Sequence, residues 1–306
     1  TKEMINFVPG IVPGIGMAMN SFTRPGDKVM IQPPVYHPFA WVTTRNERTL
    51  VTNPLKWENG MYRMDLDAFR EQVKGCKLFI LCNPHNPGGV VWTEDELRTV
   101  AEICYEEKVL VFSDEIHADL TLPPYKHRPF ATISEKAKMN SVTFMSPSKA
   151  FNMPGLAASH AIIFNEDLRA RFRKFMDAGE LDMGHVFAFL SVEAAYTHGT
   201  EWLDQCLAYI QGNIDYVDNF LKTHAPRIKA IRPQASYLVW LDCRELGLNQ
   251  EALNDFFADK AHLALNDGAM FGKEGTGYMR LNVASPRSVI EQAMKQLAEA
   301  YQEMSF

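Results

Sequence analysis

No run of eighteen apolar residues occurs in the 306-residue chain, and no signal-peptide pattern opens it, so a membrane-spanning helix is not expected. A basic excess is also lacking. The 31 Lys and Arg against 37 Asp and Glu give a formal net charge of −6, which argues against nucleic acid or an anionic membrane as partner. Cysteine is scarce and unpaired: Cys76, Cys82, Cys104, Cys206 and Cys243 are odd in number and form no CxxC step. They read as free thiols of a reducing, cytoplasmic compartment, with no disulfide framework and no metal site. Internal repeats and low-complexity segments are missing too. Position 1 is Thr1 rather than methionine, and Phe7–Phe22 reads as starting inside a domain, so the sequence is expected to be part of a longer chain.

What is present is ordinary soluble-protein material, 46% hydrophobic and 22% charged, long enough for one large core with a smaller lobe. Apolar runs alternate with helical patterns through the first two thirds. Lys28–Ile31, Leu50–Thr52, Leu78–Cys82, Val109–Phe112, Val142–Met145 and His160–Phe164 read as strands. The unbroken LFILC run of Leu78–Cys82 is that of a strand buried on both faces of a parallel sheet. Pro38–Arg45 reads as a helix, Thr93 and Glu96 form a capping box for Glu94–Glu107, and Asn59-Gly60 has hairpin-turn chemistry. This βαβ patterning predicts an α/β domain with a mostly parallel sheet, whose ligands sit beyond the carboxyl ends of its strands. From Asn165 to His224 the pattern is helical. After Pro226 the style changes, and the strand-like Tyr237–Leu241 and Tyr278–Val283 predict a smaller α+β lobe. The expected division is 1–205 and 206–306.

Several polar residues sit where chemistry is plausible, each with a plainer reading beside it. Lys149, in FMSPSKAFNMPG, follows a strand that stops in a loop rich in hydroxyls; it suits a covalent imine beside a phosphate, or is a surface lysine. Asn86, in NPHNPGG, offers a donor and an acceptor, or simply shapes the turn. Asp114 ends a buried strand and needs a cation, which a protonated pyridine nitrogen, a basic side chain or a capping role could meet. His117, three residues on, reads in isolation as a core histidine. Pro9–Pro13 opens a helix with free amides around Ile11 and Val12, an anion site by geometry and dipole. Tyr36 could stack on a flat ring or pack in the core. Arg280 lies on an apolar strand and needs a carboxylate or phosphate, either internal or from a ligand.

In this order and company, the signals resemble the fold-type I pyridoxal-phosphate enzymes, the aspartate aminotransferase-like proteins of the class I/II group. The resemblance runs from about Phe7 to the end. SDEIHADL, PVYHPF, SKAFNMPGL and YMRLN make it closest to the cystathionine β-lyase-like C–S lyases of the MalY/PatB type. It implies pyridoxal 5'-phosphate bonded to Lys149, which also acts as base at Cα. Asp114 would pair with the ring nitrogen, Asn86 would reach the ring 3-hydroxyl with His117 near the same oxygen, and Tyr36 would stack. Ser146, Ser148 and the Ile11 and Val12 amides would hold the phosphate, and Arg280, beside Asn86, the substrate carboxylate. A homodimer and a small amino-acid substrate are further implications.

Two departures from the family pattern stand out. Gly155–His160 holds no arginine, which favours the lyase branch and leaves the phosphate site lighter in positive charge. The N-terminal segment with which family members begin their small lobe is not in this sequence. The expectation is therefore a β-elimination on cystathionine or a cysteine-type amino acid, giving a thiol or homocysteine, pyruvate and ammonia. An aminotransferase uses the same residues and stands as the alternative; a non-catalytic cofactor-binding or regulatory module is the third.

Overall fold

The computed structural model describes residues 1–304, so Ser305 and Phe306 of the expected 206–306 lobe lie outside the described residues. The chain begins with β1 (Ile5–Val8), α1 (Ile11–Phe22), β2 (Lys28–Ile31), α2 (Pro38–Arg45) and β3 (Thr49–Thr52). A hairpin of β4 (Lys56–Glu58) and β5 (Met61–Arg63) follows, then α3 (Leu66–Gln72), β6 (Cys76–Cys82), α4 (Glu94–Glu106) and β7 (Leu110–Asp114). Next come α5 (Glu135–Met139), β8 (Ser141–Met145), β9 (Ser159–Ile162) and the helices α6 (Glu166–Ala178), α7 (Val186–His198) and α8 (Thr200–His224). The last part holds β10 (Lys229–Ile231), β11 (Leu238–Asp242), α9 (Gln250–Asp255), β12 (Asn266–Asp267), β13 (Tyr278–Asn282) and α10 (Arg287–Gln302).

Seven strands form one sheet in the order β1-β9-β8-β7-β6-β2-β3. The run from β8 to β3 is parallel, and β9 is antiparallel to both its neighbours. Helices cover both faces, which is why β6 has no polar alternation. Leu78 and Ile80 pack with Ile15, Phe39 and Phe172 on one side; Phe79 and Leu81 pack with Phe69, Leu97 and Ala137 on the other. Each such fully buried side chain contributes roughly 1.5–3 kcal/mol.

Local chemistry explains the element ends. Asn59 and Gly60 take φ of 50° and 82°, the left-handed pair that a two-residue hairpin demands. Thr93 and Glu96 close their capping box, with the Glu96 amide donating to Thr93 Oγ1 at 3.2 Å. Several expected strand bounds shift by one or two residues. β7 runs on to Asp114 because that residue still pairs with Cys82 and Phe144. β9 starts one residue early and stops two early, at Ile162. The helical 165–224 stretch consists of α6, α7 and α8, and Gly199 serves as the last cap of α7 and the first of α8.

The second sheet, β10-β11-β13-β12, packs one face against Ile210, Ile214, Val217 and Leu221 of α8 and against α10. Residue 205 falls inside α8, which is continuous from Thr200 to His224. On its other face, Trp240 stacks on Tyr278 at 5.2 Å and donates from Nε1 to Tyr62 Oη at 3.2 Å, so the small sheet is braced against the β4–β5 hairpin. Among the described residues, no helix is long and apolar enough to cross a membrane.

Candidate active site

Parallel strands end their backbone hydrogen bonding together, and their loops converge beyond that edge. Here the edge opens into a cavity of about 360 Å³, with β13 of the small sheet as its far wall. Eight of the ten nominated residues line it: Ile11, Val12, Tyr36, Asn86, Asp114, His117, Lys149 and Arg280. Tyr36 follows β2, Asn86 follows β6, Asp114 closes β7 and Lys149 follows β8. Four strands thus deliver four side chains to one space.

Asp114 is 4% exposed, and its one hydrogen-bond donor among the described residues is the Ile116 amide, 3.1 Å from Oδ1. Burial pushes its carboxyl up to about 7; the Ile116 bond opposes that, Glu115 adds to it and the Lys149 charge opposes it. His117 is pushed down to about 3, by burial first and then by the positive charges of Lys149 and Arg280. Its buried Nδ1 has no partner among the described residues. Tyr36 meets Phe39 edge-on at 5.6 Å, and its phenol is pushed up by burial and by Asp114.

Arg280 sits with its guanidinium 4.6 Å from the centre of the Phe271 ring. Nη1 donates to Asn86 Oδ1 at 2.9 Å and Nη2 to Asn266 Oδ1 at 2.7 Å, while Nε is buried without a partner among the described residues. Among the described residues no carboxylate pairs with it, and burial pulls its pKa below the ordinary value. The internal Asp or Glu partner considered for this arginine is therefore not what the structure contains. Since Arg280 takes Asn86 Oδ1, the amide NH₂ of Asn86 remains as a donor.

The loop that carries Asn86 is tied to the small sheet. Gly89 has φ +66°, and its carbonyl accepts from the Gln234 amide at 2.8 Å and from Ala235 at 3.1 Å. At the opposite wall, α1 starts at Gly10 without a side-chain cap, and Pro13 has no N–H to offer. The first-turn amides of Ile11 and Val12, which have no partner within the helix, are therefore available to an anion in the cavity.

Two nominated residues are not on this cavity's wall. Ser146 is 3% exposed; its hydroxyl donates to Ala158 O at 2.7 Å and accepts from the Ser148 amide at 3.1 Å, which braces the loop before Lys149. Ser148 lines a neighbouring cavity that shares Lys149, Tyr237 and Asn282 with the first.

Tyr237 and Asn282 were missed from sequence, as was Asn266. Asn282 lies two residues beyond Arg280 on one strand, so the two-residue period of a strand could have found it. Tyr237 stands beside the opening of an apolar strand, a position with no polar signal. Asn266 reaches Arg280 through the β12–β13 register, which no local pattern reveals.

Comparison with known proteins places this architecture. The family model for aminotransferase class I and II matches residues 1–297. Cystathionine beta-lyase PatB of Bacillus subtilis is 40% identical over 300 residues, covering 97% of this chain and 78% of that protein. Protein MalY of Escherichia coli is 30% identical over 302 residues, covering 98% and 77%. The structure of cystalysin from Treponema denticola, which contains a pyridoxal 5'-phosphate cofactor, superposes with a TM-score of 0.97 at 35% identity, covering 100% of this chain and 78% of that one. Parallel strands ending on a lysine, an aspartate and an asparagine, and a match along nearly the whole sequence, lead to one assignment: the chain belongs to the class I and II aminotransferase family.

Proposed function

We propose that the chain is a pyridoxal 5'-phosphate-dependent C–S lyase acting on cystathionine or a related cysteine-type amino acid. The observation that carries this reading is the Asp114 carboxylate. It is buried beyond a strand end, held by a single backbone donor among the described residues, and faces the cavity that Lys149 and Arg280 also line. A buried carboxylate of this kind calls for a cation, and a protonated ring nitrogen meets that need. The cofactor fits the remaining donors as well: the α1 amides for its phosphate, Asn86 and His117 for its 3-hydroxyl, Tyr36 for its ring face. Ser148 joins the phosphate side, and Ser146 holds the loop that supports it.

Once bound, the cofactor supplies an electron-accepting ring joined to the substrate nitrogen, which lowers the cost of losing the Cα proton. The chain's own residues do the rest. Asp114 holds the ring nitrogen proton. Arg280 receives the substrate carboxylate through its fork and is pre-aimed by Asn86 and Asn266. With both ends fixed, the Cα–H bond is oriented toward Lys149, which takes the proton. For a substrate with sulfur on Cβ, loss of that proton would allow the thiol to leave, and the overall reaction would consume one water and give the thiol, pyruvate and ammonia. His117, neutral through burial, adds no competing charge beside Asp114.

A cytoplasmic homodimer belongs to the same proposal, as does a division near residue 205 into cofactor-binding and small domains. The test is incubation with pyridoxal 5'-phosphate and L-cystathionine. Equal amounts of homocysteine, pyruvate and ammonia over many turnovers support the lyase. Amino transfer to an added 2-oxo acid without pyruvate release moves the assignment to an aminotransferase, and no turnover at all moves it to a binding module.

A further inference from the structure

Behind Asp114 lies a second carboxylate that the proposed chemistry does not use. Strand alternation sends Asp114 to the cavity and its neighbour Glu115 to the other side. There the Glu115 side chain is completely enclosed, at 0% exposure. It accepts from Ser113 Oγ at 2.8 Å, from the Phe130 amide at 2.9 Å and from His127 Nε2 at 2.7 Å.

Two of these donors come from one short segment, 127–130, and that segment makes another bond. The Arg128 carbonyl accepts from Asn83 Nδ2 at 3.1 Å, three residues before Asn86. The Asn83 amide in turn donates to the Asp114 carbonyl at 2.9 Å, and the Glu115 amide to Phe144 O at 2.8 Å. The segment therefore buckles the end of β6 to the end of β7, the two strands that deliver Asn86 and Asp114. Asp114 needs such a brace, because its own carboxylate has the Ile116 amide alone as donor among the described residues.

We infer that Glu115, clasped by His127, is a positioning residue that sets Asp114 for the cofactor ring nitrogen. The inference rests on the cofactor reading above.

A double-mutant cycle read by cofactor affinity tests it. Apoprotein is titrated with pyridoxal 5'-phosphate, and the dissociation constant is followed by absorbance for wild type, Glu115→Gln, Asp114→Asn and the double variant. Glu115→Gln keeps the shape and the Ser113 and Phe130 bonds and removes the charge. It should weaken binding about 10-fold when Asp114 is present and less than about 2-fold in the Asp114→Asn background, the range for directly coupled groups. His127→Gln should behave the same way, and it replaces Glu115→Gln in the cycle if that variant does not fold. Urea midpoints of all variants read the structural contribution separately. Equal weakening in both backgrounds, or lowered midpoints with unchanged affinity, overturns the inference. A wild-type protein that takes up no cofactor instead removes the reading beneath it.

Discussion

Asp114→Asn should stabilise the cofactor-free protein at pH 8 while removing its cofactor chemistry. Burial raises the carboxyl from 3.8 to about 7 in the folded chain. Between those values the folded state holds a proton that the unfolded state releases, so stability falls as pH rises from about 4 to 7. The penalty is absent below the unfolded pKa and complete above the folded one. A shift of roughly three units at about 1.4 kcal/mol each corresponds to about 4 kcal/mol. No discount for solvent screening applies, because Asp114 is 4% exposed. Asparagine keeps the oxygen that accepts from Ile116 and carries no charge. Urea unfolding of both apoproteins at pH 4.5, 6 and 8 reads the difference, with other titrations cancelling between them. A gain in midpoint that grows from pH 4.5 to pH 8 agrees with the reasoning. A gain independent of pH, or a loss at pH 8, refutes it.

Three further outcomes follow from the same geometry. Arg280→Lys keeps the charge but loses the fork to Asn86 and Asn266, so KM for L-cystathionine should rise about 30-fold or more while cofactor absorbance persists; an unchanged KM would count against Arg280 as the carboxylate site. In Gly89→Ala the new Cβ would lie 2.4 Å from Pro233 Cβ at φ +66°, and thermal unfolding should report a loss of about 3 kcal/mol or more. His117, held near 3 by burial, should show no NMR titration between pH 5 and 8; its folded pKa lies below the unfolded one, so it contributes to loss of stability as pH falls below about 6.5, and a titration midpoint near 6.5 would contradict the burial argument.

The large sheet was legible because its strands are buried on both faces. LFILC has one arrangement that satisfies every side chain, and the loops after such strands hold the residues that were singled out. Lys149, Asp114, Asn86 and Tyr36 could be singled out because each closes or follows a strand, where position and residue type coincide. What stayed hidden depends on register and on contacts between distant segments. Asn266 faces Arg280 through a two-residue strand that no periodicity marks. Glu115 was passed over inside SDEIH because its partners, His127 and Phe130, lie 12 and 15 residues away across an irregular loop. Ser146 was nominated as a phosphate ligand through the family resemblance, which carries no information on hydrogen bonds inside the loop. Its hydroxyl is occupied by Ala158 O, an acceptor on the strand-side segment that follows the loop.

The proposed function turns on Lys149 as the residue that bears the cofactor and works at Cα. Borohydride reduction of the protein loaded with pyridoxal 5'-phosphate, followed by peptide mapping, reads that attachment directly. A pyridoxyl group on Lys149 Nζ is expected, with the visible absorbance and pyruvate release from L-cystathionine both lost in Lys149→Ala. A pyridoxyl group on a different lysine, or sustained pyruvate release by Lys149→Ala, would contradict it.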